Sequence, residues 1–227
     1  MLSGAGTETD PFLPSDYTAM LMHVVRARKG TFRLGSGLDM GVGSGVLLAT
    51  LGQLGVERLT GVDIDPAAVE ASRTLLRSLD LLDRAQVLEG SLWEPLADAR
   101  FDIVVANLPH FASTQPSDPE HSPYWSMGGS DGRCLLDPFL AGLGAHLSDD
   151  GVALITHNSF VGLDRTTAML AVQRLAVEPV LSTTMALPPA KIALLEPAVR
   201  RRYTGSGICQ LGPYEFVDVQ ILEIRRA

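Results

Sequence analysis

From residue 37 onward, short apolar and β-branched runs alternate with stretches whose apolar positions recur at helical spacing. Leu38, Asp39 and Met40 form a strand that runs into a glycine-rich turn, and VLLATLGQLG behind it reads as a helix stopped by Gly55. RLTGVDI is a second strand. Asp65 then caps a helix with Pro66 at its first position, and Val69, Leu75, Leu76 and Leu79 follow at roughly helical spacing. AQVLEG and FDIVVA read as the third and fourth strands. RCLLDPFLAGLGAHL is a helix in which Pro138 is expected to introduce a kink. GVALITHN is a fifth strand, DRTTAMLAVQRLA a helix and VEPVLSTTMAL a sixth strand. YEFVDVQILEI alternates strictly, the pattern of an antiparallel strand at a sheet edge.

Alternating β and α elements imply a parallel sheet with helices on both faces, and right-handed crossovers restrict its winding. The fold class expected is therefore α/β: a doubly wound, Rossmann-like, mostly parallel seven-stranded sheet with an antiparallel last strand. The 227 residues are read as a single domain, with residues 1–36 as an N-terminal helix or lid segment. Residues 188–214, rich in Pro, Gly and Arg, are expected to form an insertion over one end of the sheet before the last strand.

Composition narrows the partners. Eighteen Lys and Arg stand against 26 Asp and Glu, a net charge of −8, which disfavours binding to a phosphate backbone. Arg200, Arg201 and Arg202 are one candidate basic patch. The first residues lack a basic, apolar secretion signal, and no run approaches the ~18 apolar residues of a membrane span. Cys134 and Cys209 share no metal-like spacing, so no metal is expected. A soluble cytoplasmic protein is the expectation, with no indication of oligomeric state.

The candidate chemistry begins at LDMGVGSG. Gly41, Gly43 and Gly45 follow a strand and open a helix, where glycine permits positive φ and close approach of a ligand. A nicotinamide fingerprint would want a glycine at Val46, so this spacing departs from it. G-x-G-x-G preceded by Asp39 resembles instead motif I of class I S-adenosylmethionine-dependent methyltransferases. By that resemblance Asp39 meets the cationic methionine end of S-adenosylmethionine through charge-assisted hydrogen bonding with an intervening water; Asp63 takes both ribose hydroxyls and Ile64 lies against adenine. Where the family often has an acid for the adenine amino group, this chain has Ser91, a weaker partner.

The fourth strand ends in Asn107-Leu108-Pro109-His110. Amide nitrogens and base exocyclic amines are planar and attack a methyl group poorly. The Asn107 carboxamide and the Leu108 backbone carbonyl can each accept one N–H, fixing such a nitrogen in line and favouring charge on it in the transition state. Pro109 restricts Leu108 and holds the turn. NLPH resembles the [N/D/S]-P-P-[Y/F/W] and N-[I/L]-P-[Y/F] motifs of amino-group methyltransferases, with His110 in the aromatic slot. There a flat ring would stack on the target, or take its proton. Asn107 also borders the cofactor side.

Two further stretches carry a narrower resemblance. PFLPSDYTAMLM at 11–22 and YWSMGGSDGRCLLDPFL at 124–140 are similar to segments of HemK-like glutamine N5-methyltransferases, the release-factor methyltransferases. That likeness, which covers about residues 11–157, implies a lid in which Thr18 sits near the methionine end. It implies a protein substrate, with a release factor as one candidate. Adenine N6 of RNA or DNA, a small metabolite, and a catalytically silent activator subunit remain the other readings. His157 and Asn158 either line the acceptor side or are structural, and Trp93 and Trp125 are given no role.

Overall fold

The computed structural model describes residues 13–113 and 128–227. Trp125 and parts of the 11–22 and 124–140 stretches lie outside those residues. Five parallel strands are laid down first: β1 (Ser36–Met40), β2 (Arg58–Asp63), β3 (Ala85–Glu89), β4 (Phe101–Ala106) and β5 (Leu147–Asn158). The chain continues through β6 (Leu175–Leu187), β7 (Ile208–Leu211) and β8 (Tyr214–Arg226). The sheet order is β3-β2-β1-β4-β5-β8-β6, with β7 paired to β8. β1 therefore has β2 on one side and β4 on the other, which makes the carboxyl rim between them the switch point of the winding.

Seven strands are those expected from the pattern, and β7 is a short addition within the 188–214 segment. The place of the last strand is corrected. The last strand is antiparallel, but it lies between β5 and β6 and not at an edge. Its burial explains the misleading pattern: alternation holds over residues 214–220, of which 214–218 project beyond β5, whereas Ile221, Leu222, Glu223 and Ile224 are all buried between neighbours. A strand covered on both faces loses its period of two.

Helices α1 (Asp16–Ala27), α2 (Val46–Gln53) and α3 (Pro66–Ser78) cover one face. There Leu21, Val24, Leu48, Leu51 and Leu76 pack with Ile103 and Val105 of β4. α4 (Leu136–His146) and α5 (Leu163–Ala171) cover the other, where Phe139, Leu140, Leu143 and Leu170 meet Leu38, Val104 and Ile155. Neighbouring β4 residues alternate between these two clusters because successive side chains of a strand point to opposite faces. Two short helices, α6 (Pro189–Leu194) and α7 (Pro197–Tyr203), occupy the insertion.

Local chemistry sets the helix ends. Ser15 caps α1 by accepting from the Thr18 amide, and Asp65 caps α3 by accepting from that of Ala67. Pro138 causes no kink: α4 begins at Leu136, so the proline falls in its first turn, where a missing N–H breaks no bond. Trp93 stacks between His146 at 4.4 Å and Phe139 at 5.2 Å and donates to the Phe139 carbonyl. It packs on α4 against Gly142, where a Cβ would come within 2.4 Å of its ring.

Candidate active site

The carboxyl ends of β1, β2, β3 and β4 open on a cavity of about 640 Å³. Gly41, Gly43, Asp63, Ile64, Ser91, Asn107, Leu108, Pro109 and His110 all line it, together with Thr18 from the first turn of α1. The glycine turn folds back on β2, because the amides of Gly41 and Val42 both donate to the Val62 carbonyl. Gly41, Gly43 and Gly45 have φ of +73°, +49° and +82°. Gly45 is the N-cap of α2, and a Cβ there would lie 2.6 Å from the hydroxyl of buried Ser72. At Gly43 a Cβ would approach nothing closer than 4.0 Å, so that residue leaves space on the cavity side.

The two acids differ. Asp39 is buried beneath the turn and does not line the cavity; its Oδ2 accepts from the Leu48 amide in the first turn of α2. Its Oδ1 is buried without a hydrogen-bond partner. Burial, reinforced by nearby Asp63, raises its pKa well above the ordinary carboxylate value. Asp63 faces the cavity and holds the turn, accepting from Gly43 N at 2.9 Å and from Asp65 N at 3.0 Å. Burial raises its pKa too, against the pull of those amides. Each carboxylate oxygen keeps a lone pair beyond these bonds. Ile64 next to it is 49% exposed, an apolar side chain left open beside polar neighbours.

Asn107 is held from both sides. Its Nδ2 donates to Thr18 Oγ1 at 3.0 Å, and its Oδ1 accepts from Thr156 Oγ1 at 2.9 Å. These bonds fix the carboxamide's orientation and leave one lone pair on Oδ1. The Leu108 carbonyl is also partly engaged, by His110 Nδ1 at 2.6 Å. His110 is only 6% exposed, so it is no open platform, and its ring meets Tyr17 edge to face at 5.7 Å. Tyr17 in turn donates to Asn158 Oδ1 at 3.1 Å. Burial raises the Tyr17 pKa and lowers that of His110.

The segment from Gly128 to Gly132 lies against this loop, which accounts for its glycines. A Cβ on Gly128 would come within 2.7 Å of the Phe111 carbonyl, and one on Gly132 within 2.6 Å of the His110 carbonyl. Buried Arg133 anchors the segment by donating to Asp137, to the carbonyl of Val161 and to Thr166. Thr166 also meets His157 Nε2 at 3.0 Å; His157 is fully buried and does not line the cavity, whereas Asn158 does. Burial lowers the His157 pKa to about 3.

Several lining residues were not singled out in the sequence: Tyr17, next to Thr18 in the 11–22 stretch, and Phe111, Met185 and Lys191. Lys191 comes from α6 and sits over the Phe111 ring at 5.2 Å, so the insertion forms part of the cavity wall. Among the described residues no cluster of His, Cys, Asp and Glu could hold a metal ion, and no helix is long and apolar enough to cross a membrane.

The architecture, with its cavity at the switch point and the antiparallel strand inserted between β5 and β6, is the fold found in solved methyltransferase structures. Residues 18–109, less than half of the chain, match the family described as Ribosomal protein L11 methyltransferase (PrmA). The chain is 34% identical over 125 residues to a ribosomal protein uL3 glutamine methyltransferase of Bordetella pertussis, covering 52% of this chain and 42% of that protein. It is 29% identical over 132 residues to a putative protein N5-glutamine methyltransferase of Methanocaldococcus jannaschii, covering 57% and 64%. It thus spans less than two thirds of either relative. Among solved structures, the E. cuniculi Mtq2-Trm112 complex, responsible for methylation of the eRF1 translation termination factor, shares the fold at a TM-score of 0.60 and 15% identity. That match covers 94% of this chain and 97% of the other.

Proposed function

We propose that the chain is an S-adenosylmethionine-dependent N-methyltransferase acting on a side-chain amide of a protein, with glutamine N5 of a ribosomal protein or release factor as the first candidates. When bound, S-adenosylmethionine supplies an electrophilic methyl group on a sulfonium. The residues present fit it. The cradle at Gly43, the free lone pairs of Asp63, exposed Ile64 and Ser91 suit the nucleoside. Thr18 and the unpartnered Oδ1 of Asp39 suit the methionine end, Asp39 acting from beneath the turn through a bridging water or its charge.

The observation that carries the reading is the clamped carboxamide of Asn107. Held between Thr18 and Thr156, it aims a fixed acceptor at the cavity without reorganising when the substrate arrives. The second acceptor is the remaining lone pair of the Leu108 carbonyl, with Pro109 limiting the movement of that peptide. Together they grip an N–H₂ group and orient its nitrogen. The relatives named for glutamine methylation favour a protein acceptor.

A small-molecule acceptor is the second reading, favoured by the wall that Met185, Leu187 and Lys191 add to the cavity. Incubating the purified chain with methyl-labelled S-adenosylmethionine and, separately, uL3, a release factor and a metabolite extract decides between them. Label on a protein glutamine supports the proposal; label confined to the extract would replace it.

A further inference from the structure

We propose that His110 is the proton acceptor of the transfer, its Nε2 taking the proton that the acceptor nitrogen must release. The inference rests on the methyltransferase reading and adds a residue role to it. It starts from a tautomer. His110 Nδ1 lies 2.6 Å from the Leu108 carbonyl oxygen, which can only accept, so Nδ1 carries the ring hydrogen. In the neutral ring the lone pair is then on Nε2. That nitrogen is buried and makes no hydrogen bond of ordinary geometry, its polar neighbour being the Asn158 side chain, in a side chain that lines the cavity beside Asn107 and Pro109. A buried acceptor with nothing to accept is costly, and it is met where an N–H arrives with the ligand.

Among the described residues, the neighbours of the ring leave it uncharged. Tyr17 of α1 faces the ring edge to face, Asn158 and His157 lie at the end of β5, and Arg133 and Cys134 belong to the segment before α4. Lys191 of α6 sits over neighbouring Phe111. None of these is a carboxylate that would hold an imidazolium in place; burial disfavours the charged ring and outweighs the Leu108 carbonyl and the Asn158 side chain, which favour it. His110 is therefore neutral near pH 7, and once charged it is readily discharged.

The step balances as follows. The acceptor nitrogen forms a bond to the methyl carbon as the carbon–sulfur bond breaks, and that electron pair stays on sulfur. The nitrogen, now positively charged, gives its proton to Nε2. The imidazolium passes it to solvent as the product leaves. An aromatic residue without a basic nitrogen at this position could stack on the acceptor but could not take the proton.

The test has two independent readouts. Nitrogen-15 spectra of the whole chain with S-adenosylhomocysteine should show His110 as the neutral Nδ1–H tautomer at pH 7; a proton on Nε2 there overturns the proposal whatever the acceptor. His110→Phe and His110→Tyr should bind S-adenosylhomocysteine within about twofold of the unsubstituted chain. They should lose methyl transfer to uL3 or a release factor by about 10²-fold or more, the scale of lost general-base catalysis. The acid limb of kcat/KM, expected below the ordinary histidine value of 6.5, should disappear with them. Turnover of His110→Tyr within a few-fold of the unsubstituted chain overturns the proposal. Failure of the unsubstituted chain to label either protein refutes the protein-amide reading instead, and the tautomer then decides the role of His110.

Discussion

Asn107 and His157 illustrate how little of a residue's role lies in its type. Asn107 sits between two hydroxyls that fix its carboxamide. Replacing it with Ala should lower methyl transfer at least 10²-fold, the cost of one lost transition-state hydrogen bond partner, while the affinity for S-adenosylhomocysteine stays within a few-fold. Parallel calorimetry and label transfer would measure both. His157 is different: it touches no cavity and is refused a proton by burial down to about pH 3. The unfolded imidazole takes that proton near 6.5, so its contribution to stability falls as pH drops through 6.5 and goes on falling towards 3. Buried Asp39 acts with the opposite sign, since a raised carboxyl pKa favours folding as pH falls. A comparison of variants separates them. Between pH 7 and 5, His157→Asn should lose less stability to denaturant than the unsubstituted chain, by at most about 2 kcal/mol at ~1.4 kcal/mol per pH unit.

At the scale of elements, two glycine segments perform different tasks with the same residue. Gly132 has φ +76° and stands against the His110 carbonyl and the Val161 side chain, at 2.6 Å from where its Cβ would be. Gly43 has φ +49° and open space. Gly132→Ala should therefore lower the melting temperature and displace the loop that carries His110, losing stability and turnover together. Gly43→Ala should cost only about 1–2 kcal/mol of backbone strain and show its main effect as weaker cofactor binding. Thermal melts beside titration calorimetry would tell the two patterns apart; equal effects on both measurements would contradict this division. α1 belongs to the same scale. Buried Leu21, Val24 and Val25 and the ion pair of Arg28 with Glu223 pin it to the sheet, so only its first turn borders the cavity. An N-terminal helix or lid segment was expected over residues 1–36, but its seating required β8, nearly two hundred residues away.

For the whole molecule, ligand linkage and charge give the broadest checks. A ligand at 100 times its Kd stabilises the folded state by about 2.7 kcal/mol. For a chain of this length that amounts to a rise of roughly 5–10 °C in Tm, taking 2–4 °C per kcal/mol. S-adenosylhomocysteine should produce such a shift, and no shift at saturating concentration would remove the basis for the proposed activity. The net charge of −8 should leave RNA and duplex DNA weakly bound even at low salt. The arginine run does not alter this: Arg200 is paired with Glu215, and Arg202 lies over Tyr203. Filter binding across salt concentrations tests it, and tight, steeply salt-dependent binding would favour an RNA or DNA acceptor.

What the chain determined by itself was local: strand and helix periods, the cap at Asp65, and the glycines that end β1. Such features depend on neighbours a few residues away, so their physics can be read along the sequence. The tertiary structure alone decided what each site atom still has to offer. The Asn107 carboxamide is shared with residues 89 and 49 positions distant, and the Leu108 carbonyl is half taken by His110. Asp39 lies below the cavity, Lys191 entered its wall from a helix with no motif, and Tyr17 from a stretch in which only Thr18 had been singled out. The position of β8 was likewise settled by β5 and β6 on either side of it, because the alternation of its first half marks a strand without saying which strands will flank it. Free lone pairs and burial arise from distant segments meeting, and only folding brings those segments together.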